Sequence, residues 1–411
     1  MDKVWITSIS IITISIIFSL RKTDTFNSYK IFYLFSLFFF GIAPLVHYEN
    51  NASFFGARPL LKNEYFILNL IILIIIILFN WLYYYFINRH QQKPVFFLKK
   101  KNINDSYFLL IAILFLTNKI LLFRDFSYDA LFLRDNNNLL INFGRYTSYF
   151  IGLIFYALPL VLLLHLLLFW KRGWNILRII TVSLLLFSSF PTALSRTNFG
   201  ILITPMTFLI FPWLYRRNNF VFLFIVGFIY LFPFLNQFRD ISSLKQLKFK
   251  ANLEMFSTAH FDSYYNFALM FEVPLQWGKQ LLGVLLFFVP RDFWPGKPVG
   301  SGAFMAELHN MTFTNISANY FAEGYINFGF MGIVLFLAVL CYLLAKLDYF
   351  GALSEKSNPP LFVLYLQLIF SVFYLLRGDL MSSFATMVSI VLLNVFIVAL
   401  LYRIHPNYEK T

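Results

Sequence analysis

The residues best suited to chemistry collect in the last third of the chain, around a run rich in proline and glycine. RDFWPGKPVGSG (291–302) holds two cations, Arg291 and Lys297, between prolines that forbid a regular helix and glycines that permit sharp turns. Trp294, in the same run, suits an interfacial anchor or a platform on which a sugar ring stacks. AELHNMTFTN (306–315) follows, with His309. Histidine as a residue type suits general-base work because it titrates near neutrality; a histidine donating a structural hydrogen bond fits the same position. FAEGYINFGFMG (321–332) then carries Glu323 to the start of an apolar segment, where an acid is costly unless it is paired. Further arginines stand at the ends of apolar runs: Arg196 in TALSRTNFG (192–200), Arg239 beside Asp240, and Arg377 beside Asp379 in LLRGDLMSS (375–383). A guanidinium binds phosphate through two parallel N–H donors, so the ligand this set suits is a diphosphate. A single arginine at a helix end equally well snorkels to lipid headgroups.

The elements that must position these residues are membrane helices. The 411 residues are 59% hydrophobic and 13% charged, against about 25% charged in an average soluble domain. Apolar runs of about 17–25 residues recur, each long enough to cross a bilayer core. Runs such as YFILNLIILIIIILFNWLYYYF (65–86) are apolar on every face, which suits a helix and excludes the alternating strands of a barrel. The fold expected is all-α and polytopic, with about eleven transmembrane helices. They are placed at 4–20, 29–47, 65–88, 107–123, 147–170, 176–194, 199–214, 219–236, 324–345, 360–376 and 381–402. Arg21-Lys22 follow the first run directly, with no small-residue cleavage site before them, which reads as an uncleaved first span.

The net charge of +14 does not point to nucleic acid, because Lys and Arg sit in short connectors between apolar runs. Arg21, Lys22, Arg89, Lys99–Lys101, Lys171, Arg172, Arg216, Arg217, Lys346 and Arg403 share one side if the N-terminus lies outside and the C-terminus inside. The positive-inside rule makes that side cytoplasmic. The expected organisation is then helices 1–8 over 1–236, one large periplasmic loop over 237–323 holding the site, and helices 9–11 with a short tail over 324–411. The single Cys341 rules out a disulfide within the chain. No Walker loop and no DxD motif is present, so the reading calls for no cofactor and no metal.

At these motifs the chain resembles the Wzy-type O-antigen polymerases, which join oligosaccharide repeat units. VPRDFWPGKP (289–298) is similar to that family's Pro-Arg…Trp-Pro…Lys-Pro loop, and Arg291 with Gly302 reproduces an Arg, ten-residue, Gly spacing. SRTNFG (195–200) and LHNMTF (308–313) resemble the Ser-Arg turn and His-Asn element of the related O-antigen ligases, and EGYINFGFMG (323–332) their glycine-rich helix entry. The likeness covers about 190–335 and departs from the family in span number and in the His309-to-Glu323 distance. It implies a GT-C-like, metal-independent glycosyltransferase of the bacterial inner membrane. Donor and acceptor would both be oligosaccharides on undecaprenyl diphosphate, with a chain-length regulator as accessory partner and no nucleic acid. His309, Glu323 and Arg291 would serve catalysis; Arg196, Arg239, Arg377, Lys297, Trp294 and Asp379 would bind diphosphate and sugar. Two rivals stay open. One is an O-antigen ligase. The other is a lipid-oligosaccharide flippase, for which Lys119 and His165 are the mid-membrane ionisable candidates.

Overall fold

The computed structural model describes residues 2–89, 97–123, 157–170, 175–189, 196–231 and 253–405. The helices follow in chain order: α1 (Lys3–Ser19), α2 (Ser28–Glu49), α3 (Lys62–Ile87), α4 (Asp105–Phe123), α5 (Leu158–Phe169), α6 (Ile176–Ser188), α7 (Phe199–Ile210) and α8 (Asn219–Tyr230). Three short helices come next, α9 (Ser263–Met270), α10 (Lys279–Leu285) and α11 (Ser301–Leu308), and then the long α12 (Tyr320–Ser357), α13 (Pro359–Arg377) and α14 (Leu380–Leu401). Strands β1 (Phe97–Lys100) and β2 (Tyr402–His405) pair antiparallel, Phe97 opposite His405.

The chain is an all-α membrane protein in its broad class. Among the described residues five helices are long and apolar enough to cross a bilayer: α2, α3, Tyr320–Glu355 within α12, α13 and α14. Shorter apolar helices stand at the other segments expected to cross, namely α1, Asp105–Asn118 within α4, and α5 to α8. The residues fall into two compact units: Met1–His90, Trp213–Asp348 and Val372–Thr386 form the first, Gln91–Pro212, Tyr349–Ser371 and Met387–Thr411 the second.

In the first unit α1, α2 and α3 run up, down and up. Asp2, ahead of α1, accepts from Tyr48 Oη at 2.7 Å and pairs with Lys62 Nζ at 2.7 Å, so the start of α1, the end of α2 and the start of α3 share one end. Midway, Asn69 donates to Thr7 Oγ1 and Ser8 Oγ and accepts from Tyr264 Oη, a buried polar clasp in apolar surroundings. The opposite end gathers the basic connectors. Phe26 N–H donates to Tyr215 O, Arg217 N–H to Asp24 O, and Lys30 Nζ to Arg217 O and Asn218 Oδ1. Asp348 takes Ser28 N–H, Ser28 Oγ–H and Tyr83 Oη–H there, a full set of donors for a buried carboxylate.

α12 is two helices joined at a sharp break. Phe328 and Gly329 leave helical geometry, Gly329 with φ of +64°, and the short piece folds back on the long one. Gly324 and Gly332 touch backbone to backbone: a Cβ on Gly332 would stand 1.9 Å from Gly324 O. Tyr320 consequently packs on Phe336, with ring centroids 5.2 Å apart.

In the second unit α4 and α6 pack side by side, and Asp105 takes Trp170 Nε1–H and Arg178 Nε–H, each at 2.8 Å. His165 is fully buried and faces Asn394 Oδ1 at 2.9 Å, while Asn394 donates to Gln367 Oε1 at 2.6 Å. The side chain of Lys119 lies outside the described residues.

Candidate functional site

All the site residues whose side chains are described belong to the first unit, at the end away from Asp348 and the basic connectors. The turn between α13 and α14 is its base. Glu323, fully buried, accepts Ser301 Oγ–H at 2.6 Å and Leu380 N–H at 3.0 Å. Asp379 accepts Gly302 N–H at 3.2 Å and caps α14 by accepting Met381 N–H at 3.0 Å. Desolvation pushes the Asp379 carboxyl above its ordinary value, and the amides of Gly302, Ser382 and Met381 pull the other way. The two acids thus bind the start of α11 and the start of α14 to one another. Gly300 makes this close approach feasible, since a Cβ there would stand 2.4 Å from Asp379 Oδ2.

Arg377, two residues before Asp379, is oriented differently. Its Nη2 lies 3.8 Å from Asp262 Oδ1, and its guanidinium lies over the Phe39 ring at 5.9 Å from the centroid. Its Nε is buried and donates to no acceptor among the described residues. Asp262 is itself buried and held by Ser317 Oγ–H at 2.6 Å and Asn266 Nδ2–H at 3.0 Å. Burial raises its carboxyl above the usual aspartate range, against the pull of Arg377 and these donors. With a carboxylate on one side and 30% of its side chain exposed, Arg377 is equipped to hold an anion.

A second cluster forms at the far end of α11. His309 caps that helix, and its Nδ1 lies 3.8 Å from Glu272 Oε2. Glu272 pairs with Arg58, which also bonds Glu64 Oε2 at 2.9 Å. The connector at 52–61 is therefore built onto the site, an association reinforced by Thr312 N–H donating to Phe55 O at 2.9 Å. Eight residues of helical rise put the Cα atoms of Ser301 and His309 roughly 12 Å apart. The two clusters are thus ordered along α11 as neighbours.

The proline-rich loop is held by its own cations. Arg291 Nη1 donates to Lys297 O at 2.6 Å and Nη2 to Pro298 O at 3.1 Å, while Lys297 Nζ donates to Phe287 O at 2.6 Å and Val289 O at 2.9 Å. Burial, then the Arg291 charge, lowers the Lys297 ammonium below its ordinary value. Trp294 N–H donates to Pro290 O and its carbonyl accepts from Lys297 N–H, a winding that leaves Trp294 half-buried and turns Phe293 outward, 84% exposed. The apolar run at 279–290 begins as the two-turn α10, entered through Gly278 at φ of +85°. The Arg196 side chain and all of Arg239 lie outside the described residues.

The structure therefore brings Glu323 and Asp379 to one contact point with Arg377 in the adjoining turn, and sets His309 apart with Glu272. Sequence reading did not single out Asp262, Glu272, Arg58 or Ser301. Each is an ordinary polar residue until the fold supplies a partner 6 to 214 positions away. Searches of protein-family models, curated proteins and solved structures return no match to this chain.

Proposed function

We propose that the chain polymerises oligosaccharide repeat units carried on undecaprenyl diphosphate, moving the growing glycan onto a new lipid-linked unit at the outer face of the bacterial inner membrane. The observation that carries this reading is the pairing of two functions along α11: a part-exposed arginine in the turn bound to one end, a histidine facing a carboxylate at the other.

In this scheme a hydroxyl of the acceptor sugar attacks the donor's anomeric carbon. The new C–O bond forms as the bond from that carbon to the diphosphate oxygen breaks, and the electron pair leaves with undecaprenyl diphosphate. His309 takes the hydroxyl proton on Nε2, with Glu272 facing Nδ1 to fix the ring. Arg377 neutralises charge growing on the diphosphate. Glu323 and Asp379 hold the turn that presents it, and Arg291 with Lys297 shapes the loop beside it. In this reading the chain crosses eleven times; an N-terminus outside agrees with the segregation of basic connectors at one end of the first unit. Periplasmic exposure of the 237–323 loop is part of the same orientation, and a GT-C-like arrangement is what the resemblance to the polymerases implies.

A ligase reading keeps the same chemistry with a different acceptor. The transporter reading draws on the buried His165–Asn394–Gln367 chain of the second unit. Purified protein given only lipid-linked repeat units separates the three. A ladder of lengthened glycans is the expected product. Translocation of the lipid without a ladder sinks the polymerase reading, as does a ladder that appears only when a lipid A core acceptor is added. In cells, loss of a polymerase leaves surface lipid bearing one repeat unit, whereas loss of a ligase or flippase leaves none.

A further inference from the structure

At the opposite end of the first unit, a shallow groove of about 350 Å³ opens between Arg21, two residues past the end of α1, and the C-terminal end of α3. Arg21, Asn80, Trp81, Tyr84, Tyr85 and Asn88 line it, and none of the six is acidic. Arg21 is held in place: its guanidinium lies 4.1 Å from the Tyr84 ring centroid, and Nη1 donates to Asn80 Oδ1 at 3.4 Å. Tyr29 Oη–H donates to the same oxygen at 2.8 Å, which fixes the Asn80 amide. A second guanidinium, that of Arg89, lies over Tyr85 at 4.2 Å. A stacked arginine keeps its in-plane N–H donors for an anion, because the ring face takes only its π surface.

The groove's place on the helix decides the source of that anion. It sits at the end of a 26-residue span, the level at which aromatic belts and phospholipid headgroups meet. Trp81 is 63% exposed beside it. Below, toward the middle of the span, Ile74, Ile77 and Leu78 of α3 and Ile17 of α1 are exposed large apolar side chains. The groove therefore offers basic and amide donors at headgroup level, with an apolar track leading from it into the hydrocarbon.

We propose that this groove is a binding site for one anionic glycerophospholipid, its phosphate held by Arg21 with Arg89 adding charge, and an acyl chain lying along α3. The site is independent of the polymerase reading and involves none of its residues.

The test uses full-length protein in nanodiscs of equal phosphatidylglycerol and phosphatidylcholine with identical chains, released into native mass spectrometry. Wild type retains phosphatidylglycerol in preference to phosphatidylcholine. Arg21→Gln, a change at an exposed side chain, lowers that preference about fivefold, near what one basic residue at a membrane surface contributes. Lys346→Gln leaves it unchanged, and millimolar glycerol phosphate does not displace the bound lipid. Equal retention of both lipids by wild type overturns the proposal, as does an Arg21→Gln protein that retains phosphatidylglycerol like wild type. Displacement by glycerol phosphate also overturns it, since the site would then be one for a soluble anion. Circular dichroism of Arg21→Gln matching wild type keeps a folding defect from imitating the expected result.

Discussion

Arg377 and Asp262, 115 positions apart in the chain, face each other at 3.8 Å, the arginine at the end of a membrane helix and the aspartate buried behind it. The pair is open on one side only, because Asp262 is closed off by Ser317 and Asn266. Asp262 therefore acts on a bound anion through Arg377. Asp262→Ala is expected to cut polymer formation by about tenfold or more, since removing one partner of a buried charge pair misplaces the other. Arg377→Lys should recover little, because an ammonium lacks the planar fork. Gel-resolved glycan length from purified protein measures both, and full-length polymer from Asp262→Ala would falsify the positioning role.

The same aspartate has a stability signature. Its folded pKa is raised above the ordinary 3.8, so its contribution is fully present below that value and is lost as pH rises through the raised one. Relative to Asp262→Asn, wild-type protein in detergent should show its larger thermal advantage near pH 4 and a smaller one at pH 7. An advantage that grows with pH contradicts the burial argument.

Glu323 satisfies two buried donors, Ser301 Oγ–H and Leu380 N–H. Glu323→Ala strands both and should destabilise by about 1–3 kcal/mol. Glu323→Gln keeps an acceptor and should lose less. Thermal unfolding in detergent tests this, and an unchanged midpoint for the alanine variant refutes the clamp.

Gly300→Ala meets the Asp379 carboxylate, with a Cβ 2.4 Å from Oδ2. The start of α11 must shift, at a cost of about 1–3 kcal/mol. Gly200→Ala, where a Cβ meets nothing within 4 Å, is the matched control. Equal stability of the two variants would show that the turn gives way freely.

His309 and Glu272 should behave as one unit. His309→Ala is expected to slow transfer by about 10²–10⁴, and Glu272→Gln to slow it less. The double variant should be no slower than His309→Ala alone, because the carboxylate acts through the ring. Additive losses in single-turnover transfer would assign Glu272 a separate task.

Much of the fold was legible because the bilayer imposes a local rule. An apolar run must satisfy its own amides as a helix, whatever its neighbours do, and α3, α13 and α14 stand within three residues of the ends read for them. The break at Phe328-Gly329 was not legible, because a glycine-rich stretch suits the entry of one helix as well as a sharp turn between two. The site divides the same way. Arg377, Asp379 and Glu323 stood out by residue type next to membrane boundaries, and His309 as a histidine in the long loop. The partnerships that distinguish them did not. Asp262 behind Arg377, Glu272 beside His309, and the carbonyls that occupy Arg291 and Lys297 are contacts across the fold or around a loop. A side chain's type shows what it can donate or accept, whereas distance in three dimensions decides which of those capacities the fold has already used.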